Sequence, residues 1–277
     1  MPESFLTLPI RSDKMTVTLK VERSVCSVQT PYQQVDIVDT VVFGRALFLD
    51  GHIQLTEFDE RAYHECLVQI PLLNMESPRA ALVIGGGDGG VIREIARHPS
   101  IERIAMVEID QGVVDACREH MPFLSDGAFD DPRLDLRIMD AFEFAKHDAA
   151  AYDLIVVDST DRYEDAEENL SENLFTEAFY RDCLRLLSPS GFVVSQADNH
   201  VICAEMTQAA LEEFAAVFPA TGSYQGLVPS FGGYSGFIWG SKGPRLGPPS
   251  AAKCQALGTV YLNQATSDLA FSPVRFR

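Results

Sequence analysis

The feature that most constrains this chain is the run Gly85-Gly86-Gly87-Asp88-Gly89-Gly90, set between an apolar stretch and a helical one. Ala80 to Ile84 reads as a short strand, and Val91 to Arg97 as a helix. At Gly85, Gly87 and Gly89 the backbone is free to take positive φ and to approach a ligand closely. A purely structural turn would produce the same cluster, so the remainder of the chain has to agree with a ligand loop before it is read as one.

It agrees. Ile101 to Glu108 reads as a second strand and Gly112 to His120 as a second helix. Leu134 to Met139 and Tyr152 to Asp158 are further strands, and Thr176 to Leu187 is a helix. Gly191 to Gln196 is a strand, Ala204 to Val217 a helix, and Ala220 to Leu227 with Gly236 to Ser241 a closing strand pair. Strands alternating with helices predict an α/β fold with a doubly wound, mostly parallel sheet. The preceding residues read differently. Thr16 to Glu22, Tyr32 to Val41, Val42 to Leu49 and His52 to Leu55 are strand-like, with a hairpin turn at Asp50-Gly51. Glu57 to Leu73 then has helical spacing. The division predicted is 1–73, a small N-terminal β domain with its following helix, and 74–277, the doubly wound domain. Gly243 to Ser250 is a Pro/Gly-rich connector, and the last 27 residues form a tail without an assigned element.

Composition narrows the partners. Of 277 residues, 46% are apolar, ample for a buried core. Lys and Arg total 22 against 40 Asp and Glu, a formal charge of −18. That deficit argues against nucleic acid or an anionic membrane as a partner and suits a cationic ligand, although many soluble enzymes are simply acidic. No run of about 18 apolar residues is present, nor a basic stretch leading into an apolar one, so a cytoplasmic protein is expected. The six cysteines are scattered with no C-x-x-C pair, which gives no zinc or redox signature, and no metal site is expected.

In such a sheet ligands bind beyond the carboxyl ends of the strands. Acidic residues stand there repeatedly: Asp88 in the glycine turn, Glu108-Ile109-Asp110, Met139-Asp140-Ala141 and Asp158-Ser159-Thr160-Asp161. Glu108, about 20 residues after the turn, is placed to accept from both hydroxyls of a ribose. Asp88 would repel a dinucleotide phosphate at the helix N-terminus, so an adenosyl sulfonium fits better. Asp140 is then placed for the adenine amino group. The plain alternatives are that Asp88 and Asp140 only cap the helices they precede.

At this point the motifs become specific. LFLDGHIQLTEFDERAYHE (Leu47 to Glu65), LVIGGGDGGVIREIARHPSIERIAMVEID (Leu82 to Asp110) and YDLIVVDSTD (Tyr152 to Asp161) closely resemble the polyamine aminopropyltransferases, over about Pro31 to Lys242. The resemblance implies a β domain followed by a Rossmann-like, methyltransferase-like sheet. It implies transfer of the aminopropyl group of decarboxylated S-adenosylmethionine to an amine, with methylthioadenosine leaving. That donor is a co-substrate, and no cofactor is implied. Carried over, Gln33 and His64 contact the sulfur nucleoside, with Gly85, Gly87, Glu108, Asp140 and Ala141 lining its site, and Asp88 binds the terminal amine of the aminopropyl arm. Asp158 is the catalytic carboxylate. Tyr63, Asp161, Gln54 and Tyr234 serve the acceptor, and Gln196 lies at a matching position. A homodimer or homotetramer is expected.

The chemistry is coherent. Decarboxylation leaves a bare ammonium that an aspartate in the loop favours. The acceptor amine, with a pKa near 10, is unprotonated about once in a thousand at pH 7, so a carboxylate beside it is needed to take a proton. Three departures concern the acceptor. The family continues its fourth strand as D-S-x-D-P-x-G-P, whereas Asp158 to Glu172 here holds seven acids and one base and lacks that Pro and Gly. Phe231 stands where the family has Tyr, with Tyr234 as a possible substitute. Gln69 stands where many members carry His. Putrescine is the expected acceptor. Spermidine, cadaverine, agmatine or a diaminopropane remain open, as do a methyltransferase and a non-catalytic sensor.

Overall fold

The computed structural model describes residues 4–11, 15–159, 176–199 and 201–274. The expected acidic segment 162–172, and Asp161 with it, lie outside the described residues.

The N-terminal part is a five-stranded antiparallel meander, β1 (Ser4–Arg11), β2 (Met15–Gln29), β3 (Gln34–Thr40), β4 (Gly44–Leu49) and β5 (His52–Thr56), hydrogen-bonded in chain order. β1 was not anticipated, and β2 runs well past the expected Thr16 to Glu22 with irregular register against β3. One face of this sheet is apolar through Val35, Ile37, Leu47, Leu49 and Leu55. It buries against α4 (Gln111–His120) and α5 (Pro122–Ser125) of the second part, meeting Val113, Ala116, Cys117 and Leu124.

The second part is a seven-stranded sheet. Its strands are β6 (Ala80–Gly85), β7 (Arg103–Glu108), β8 (Leu134–Ile138), β9 (Tyr152–Asp158), β10 (Leu187–Gln196), β11 (Ala220–Val228) and β12 (Gly233–Ser241). They lie in the order β11-β12-β10-β9-β6-β7-β8. β10, β9, β6, β7 and β8 are parallel, and β12 and β11 close the edge antiparallel. The central strands are apolar throughout because both faces are covered. Ala81, Val83, Leu154 and Val156 face one core. Leu82, Ile84, Ile155 and Val157 face the other, under α6 (Ala141–His147), α7 (Glu177–Leu186) and α8 (Ala204–Val217).

The helix expected over Glu57 to Leu73 begins later and is not uniform. It comprises α1 (Glu60–His64), a π turn over Glu65–Gln69 and α2 (Ile70–Leu73). Its apolar residues Tyr63, Cys66, Leu67 and Ile70 join the core of the seven-stranded sheet, beside α3 (Gly90–Ala96). The tail forms two helices, α9 (Ala251–Leu257) and α10 (Gln264–Phe271), and Phe271 stacks on Tyr224 of β11 at 5.4 Å. The segment before α10 is held by Glu65, whose carboxylate accepts from the N–H groups of Val260, Tyr261 and Leu262 at 2.6, 2.9 and 2.9 Å. No helix among the described residues is long and apolar enough to cross a membrane.

The chain reverses its direction of travel across the sheet between β6 and β9, which are neighbours. A crevice at the carboxyl ends of strands forms at such a switch point.

Candidate active site

β6 and β9 pair so that Gly85 lies opposite Asp158. The turn after β6 therefore starts against the end of β9. Gly85 and Gly86 take φ of +79° and +72°, where other residues are strained. A Cβ on Gly85 would stand 2.3 Å from the Asp158 carbonyl oxygen. Gly86 N–H donates to that same oxygen at 3.0 Å. Gly87, free to take a positive φ, does not take one. Its lack of a side chain matters sterically, since a Cβ there would lie 3.1 Å from Glu108 Oε2.

Three side chains converge at this crossing. Side-chain atoms of His64, Asp88 and Asp158 lie within 4.8 Å of one another, a spacing that accommodates one cation. Asp158 Oδ1 accepts from the Tyr63 hydroxyl at 2.5 Å. Burial, with the Asp88 charge behind it, pushes the Asp158 carboxyl up to about 6, against the pull of His64 and of the tyrosine hydroxyl. Asp88 Oδ1 accepts from Gly90 N–H at 2.7 Å, so the plain capping role is met, and the same oxygen lies 3.3 Å from His64 Nε2. Gly90 is a residue the sequence reading missed. A Cβ there would fall 2.2–2.5 Å from the His64 ring, so only glycine leaves room for it.

The end of β7 forms the second part of the site. Glu108 is buried, and burial pushes its carboxyl up to about 7, although the N–H groups of Asp110 and Ile109 pull the other way. Asp110 caps α4 by accepting from Gly112 N–H at 2.9 Å. Its other oxygen accepts from Thr30 Oγ1 at 2.7 Å and from the Gln33 side-chain amide at 3.0 Å. Gln33 is thus drawn from the N-terminal domain to the edge of the β7 turn. Asp140 is exposed and caps α6 by accepting from Phe142 N–H at 2.7 Å, and Ala141 is buried at the first position of that helix.

The residues expected at the acceptor are less gathered. Gln196 donates to the Ser159 carbonyl at 3.0 Å, fixing the chain just past Asp158. Gln54 donates to the His52 carbonyl at 3.2 Å. Tyr234 is half-buried and lies opposite Leu227 in the β11–β12 hairpin. Phe231, not Tyr234, meets Tyr63, edge to face at 5.8 Å. Its turn is fixed by buried Asp59, which accepts from Ser230 N–H at 2.7 Å and Ser230 Oγ at 2.9 Å.

Behind His64 stands an ion network that the motifs did not disclose. Glu60 Oε2 lies 2.8 Å from His64 Nδ1. Arg93 donates to both Glu60 oxygens, at 3.2 and 2.9 Å, and to Glu94 at 2.9 Å. Glu94 also pairs with Arg61 at 3.1 Å and Arg97 at 2.6 Å. Gln69 completes it by donating to Glu94 at 2.8 Å and accepting from His98 at 2.6 Å. Burial alone would raise Glu60, but His64 and Arg93 hold it down to about 2. The i, i+4 spacing of Glu60 and His64 and the i, i+3 spacing of Glu94 and Arg97 were the local signals of this network.

Comparison with known proteins agrees with this geometry. Residues 60–246 match the spermine/spermidine synthase domain, and residues 9–57 match the spermidine synthase tetramerisation domain. A polyamine aminopropyltransferase of Moorella thermoacetica is 37% identical over 266 residues, 95% of this chain and 91% of that one. Polyamine aminopropyltransferase 1 of Pseudomonas aeruginosa is 41% identical over 222 residues, 80% of this chain and 76% of its own. A spermidine synthase solved with the transition-state analogue AdoDATO superposes with a TM-score of 0.90 at 28% identity, covering 99% of this chain and 93% of that one. The Thermotoga maritima spermidine synthase gives 0.87, also at 28% identity, covering 99% and 92%. The chain belongs to the spermine/spermidine synthase family and is a polyamine aminopropyltransferase, a transferase of alkyl groups other than methyl.

Proposed function

We propose that this enzyme moves the aminopropyl group of decarboxylated S-adenosylmethionine to putrescine, giving spermidine and methylthioadenosine. The observation that carries the reading is the meeting of Asp88, Asp158 and His64 at the β6–β9 crossing, with Glu108 beside them. Glu108 takes the ribose hydroxyls and Asp140 with Ala141 the adenine edge. Gln33 and His64 border the nucleoside, and Asp88 holds the ammonium of the aminopropyl arm.

Asp158 acts on the acceptor. Tyr63 occupies its Oδ1, which leaves Oδ2 for an amine. A carboxylate raised to about 6 is a stronger base than an ordinary aspartate. The amine nitrogen attacks the carbon bound to sulfur, the carbon–sulfur bond breaks as the carbon–nitrogen bond forms, and the sulfur keeps the electron pair. The proton passes to Asp158. The sulfonium is already a good leaving group, so this reading calls for no cofactor. Asp161 lies outside the described residues, and its acceptor role rests on the resemblance alone.

Phe231 against Tyr63 favours a second acceptor reading. With no hydroxyl there, the wall of the groove is apolar, which suits the methylene run of a longer amine such as spermidine. The test is product analysis with one donor and a panel of putrescine, spermidine, cadaverine, agmatine and diaminopropane. Putrescine is expected to turn over fastest and to give spermidine. Far faster turnover of agmatine or spermidine would replace the proposed acceptor. The match of residues 9–57 to the tetramerisation domain supports a homo-oligomer, with Phe5, Val42 and Phe58 exposed on or beside the N-terminal sheet. Six free cysteines support placement in the cytoplasm.

A further inference from the structure

We propose that Glu60 is a positioning residue that fixes the His64 ring so that arrival of the donor's ammonium expels the proton on Nε2, and donor binding thereby releases one proton to solvent. The inference rests on the reading above, in which Asp88 receives that ammonium.

The ring has no freedom to avoid the encounter. Its Nδ1 is bound to Glu60, and Glu60 is clamped by Arg93 and lies 3.1 Å from Arg61 Nε. One side of the ring is closed by Gly90, and Tyr63 meets it edge-on at 5.3 Å. Glu60 between two cations carries no proton. Nδ1 is therefore the donor in that bond, in the neutral ring as in the charged one. A neutral His64 must then present a lone pair at Nε2.

Nε2 is the atom that faces the site. It is fully buried and lies 3.3 Å from Asp88 Oδ1. Among the described residues, the titratable and charged groups facing the ring are Glu60 and Tyr63 from its own helix, Asp88 from the glycine turn, Asp158 from β9 and, through Glu60, Arg93 from α3. Burial alone would strip the ring of its second proton, but Asp88 and Glu60 raise it to about 10. In the free enzyme His64 is therefore the cation that answers Asp88. An ammonium seated on Asp88 replaces it. Two cations in contact in a buried site repel strongly, and the pinned ring cannot withdraw. The Nε2–H bond breaks, the proton passes to solvent, and the freed lone pair accepts from the ammonium.

Calorimetry of decarboxylated S-adenosylmethionine binding to the full-length enzyme, in buffers of different ionisation enthalpy at about pH 8, tests this. Asp158 and Glu108 are already ionised at that pH and contribute little. About one proton is expected to be released, and affinity is expected to rise about tenfold per pH unit from about pH 7.5 to about pH 9. Glu60→Gln should cut the release below about half. His64→Gln, which removes the titrating ring without touching the network's arginines, should abolish the release and flatten the pH dependence. A purely structural role for Glu60 would leave that slope unchanged. Donor binding by the wild-type enzyme with less than about a fifth of a proton released, or full release from His64→Gln, overturns the proposal and leaves the function standing. Absence of donor binding overturns the function and the proposal with it.

Discussion

Glu60, Arg93 and Glu94 on one side of His64, and half-buried Asp88 and Asp158 with buried Glu108 on the other, are two clusters of charge built on opposite plans. In the first, every acid meets a guanidinium, and Glu60 is held down to about 2. In the second, His64 is the one cation among three acids in the described residues, and burial with mutual repulsion lifts Asp158 to about 6 and Glu108 to about 7. The difference separates structure from function. Matched buried charges specify a geometry, and removing one partner is costly. Acids that outnumber the cations beside them weaken the free protein, and a cationic ligand would offset that cost.

The contrast can be broken in three ways, taken from the largest effect down. Asp158→Asn should lower kcat by about 10²–10⁴-fold, the range of lost general-base catalysis, while donor binding persists. Steady-state kinetics at saturating substrates check this, and a variant retaining a tenth of wild-type turnover would remove Asp158 from its role. Arg93→Ala should destabilise the fold by about 3–5 kcal/mol, because Glu60 and part of Glu94 lose their partner in the interior. Chemical denaturation measures it, and Asp158→Asn in the same assay should be neutral or stabilising. Equal losses from the two variants would erase the distinction between the clusters.

The smallest effect is in pH. Asp158 and Glu108 have folded-state values above their unfolded ones, so their contribution is fully present below about 4 and is lost as pH rises through about 6 to 7. The free enzyme is weakened there, and the dicationic donor reverses the loss. The rise in Tm produced by donor should therefore be larger at about pH 8 than at about pH 5.5. A donor-induced shift that shrinks with rising pH would contradict this sign.

The acids of the candidate site were legible in the sequence because they sit at or just past strand ends. Glycines after β6 and acids after β7 and β9 are local patterns that the sheet order gathers, whereas Asp140 after β8 stays exposed as the cap of α6. The matched network was not legible. Glu60, Arg93 and Glu94 belong to helices whose apolar faces draw attention, His98 follows the end of α3, and only packing shows that their charged sides meet. Gly90 reads as one more loop glycine until the His64 ring is found against it. Asp59 precedes α1 and looks like a cap, yet it holds the distant Ser230 turn. Ser250 caps α9 and Asn263 caps α10, but helices this short depend on tertiary contacts, and the tail's sequence pattern yields no element. The π turn at Glu65–Gln69 likewise has its backbone-binding carboxylate explained only by the tail it grips.

One comparison of ligands bears most directly on the unmatched cluster: calorimetric affinities of the purified enzyme for S-adenosylmethionine and for its decarboxylated form. Opposite unit charges about 4 Å apart at intermediate dielectric interact by about 4 kcal/mol, and a carboxylate near Asp88 adds repulsion. The account expects the decarboxylated form to bind at least about a hundredfold more tightly. Equal binding, or preference for the carboxylated parent, would contradict it.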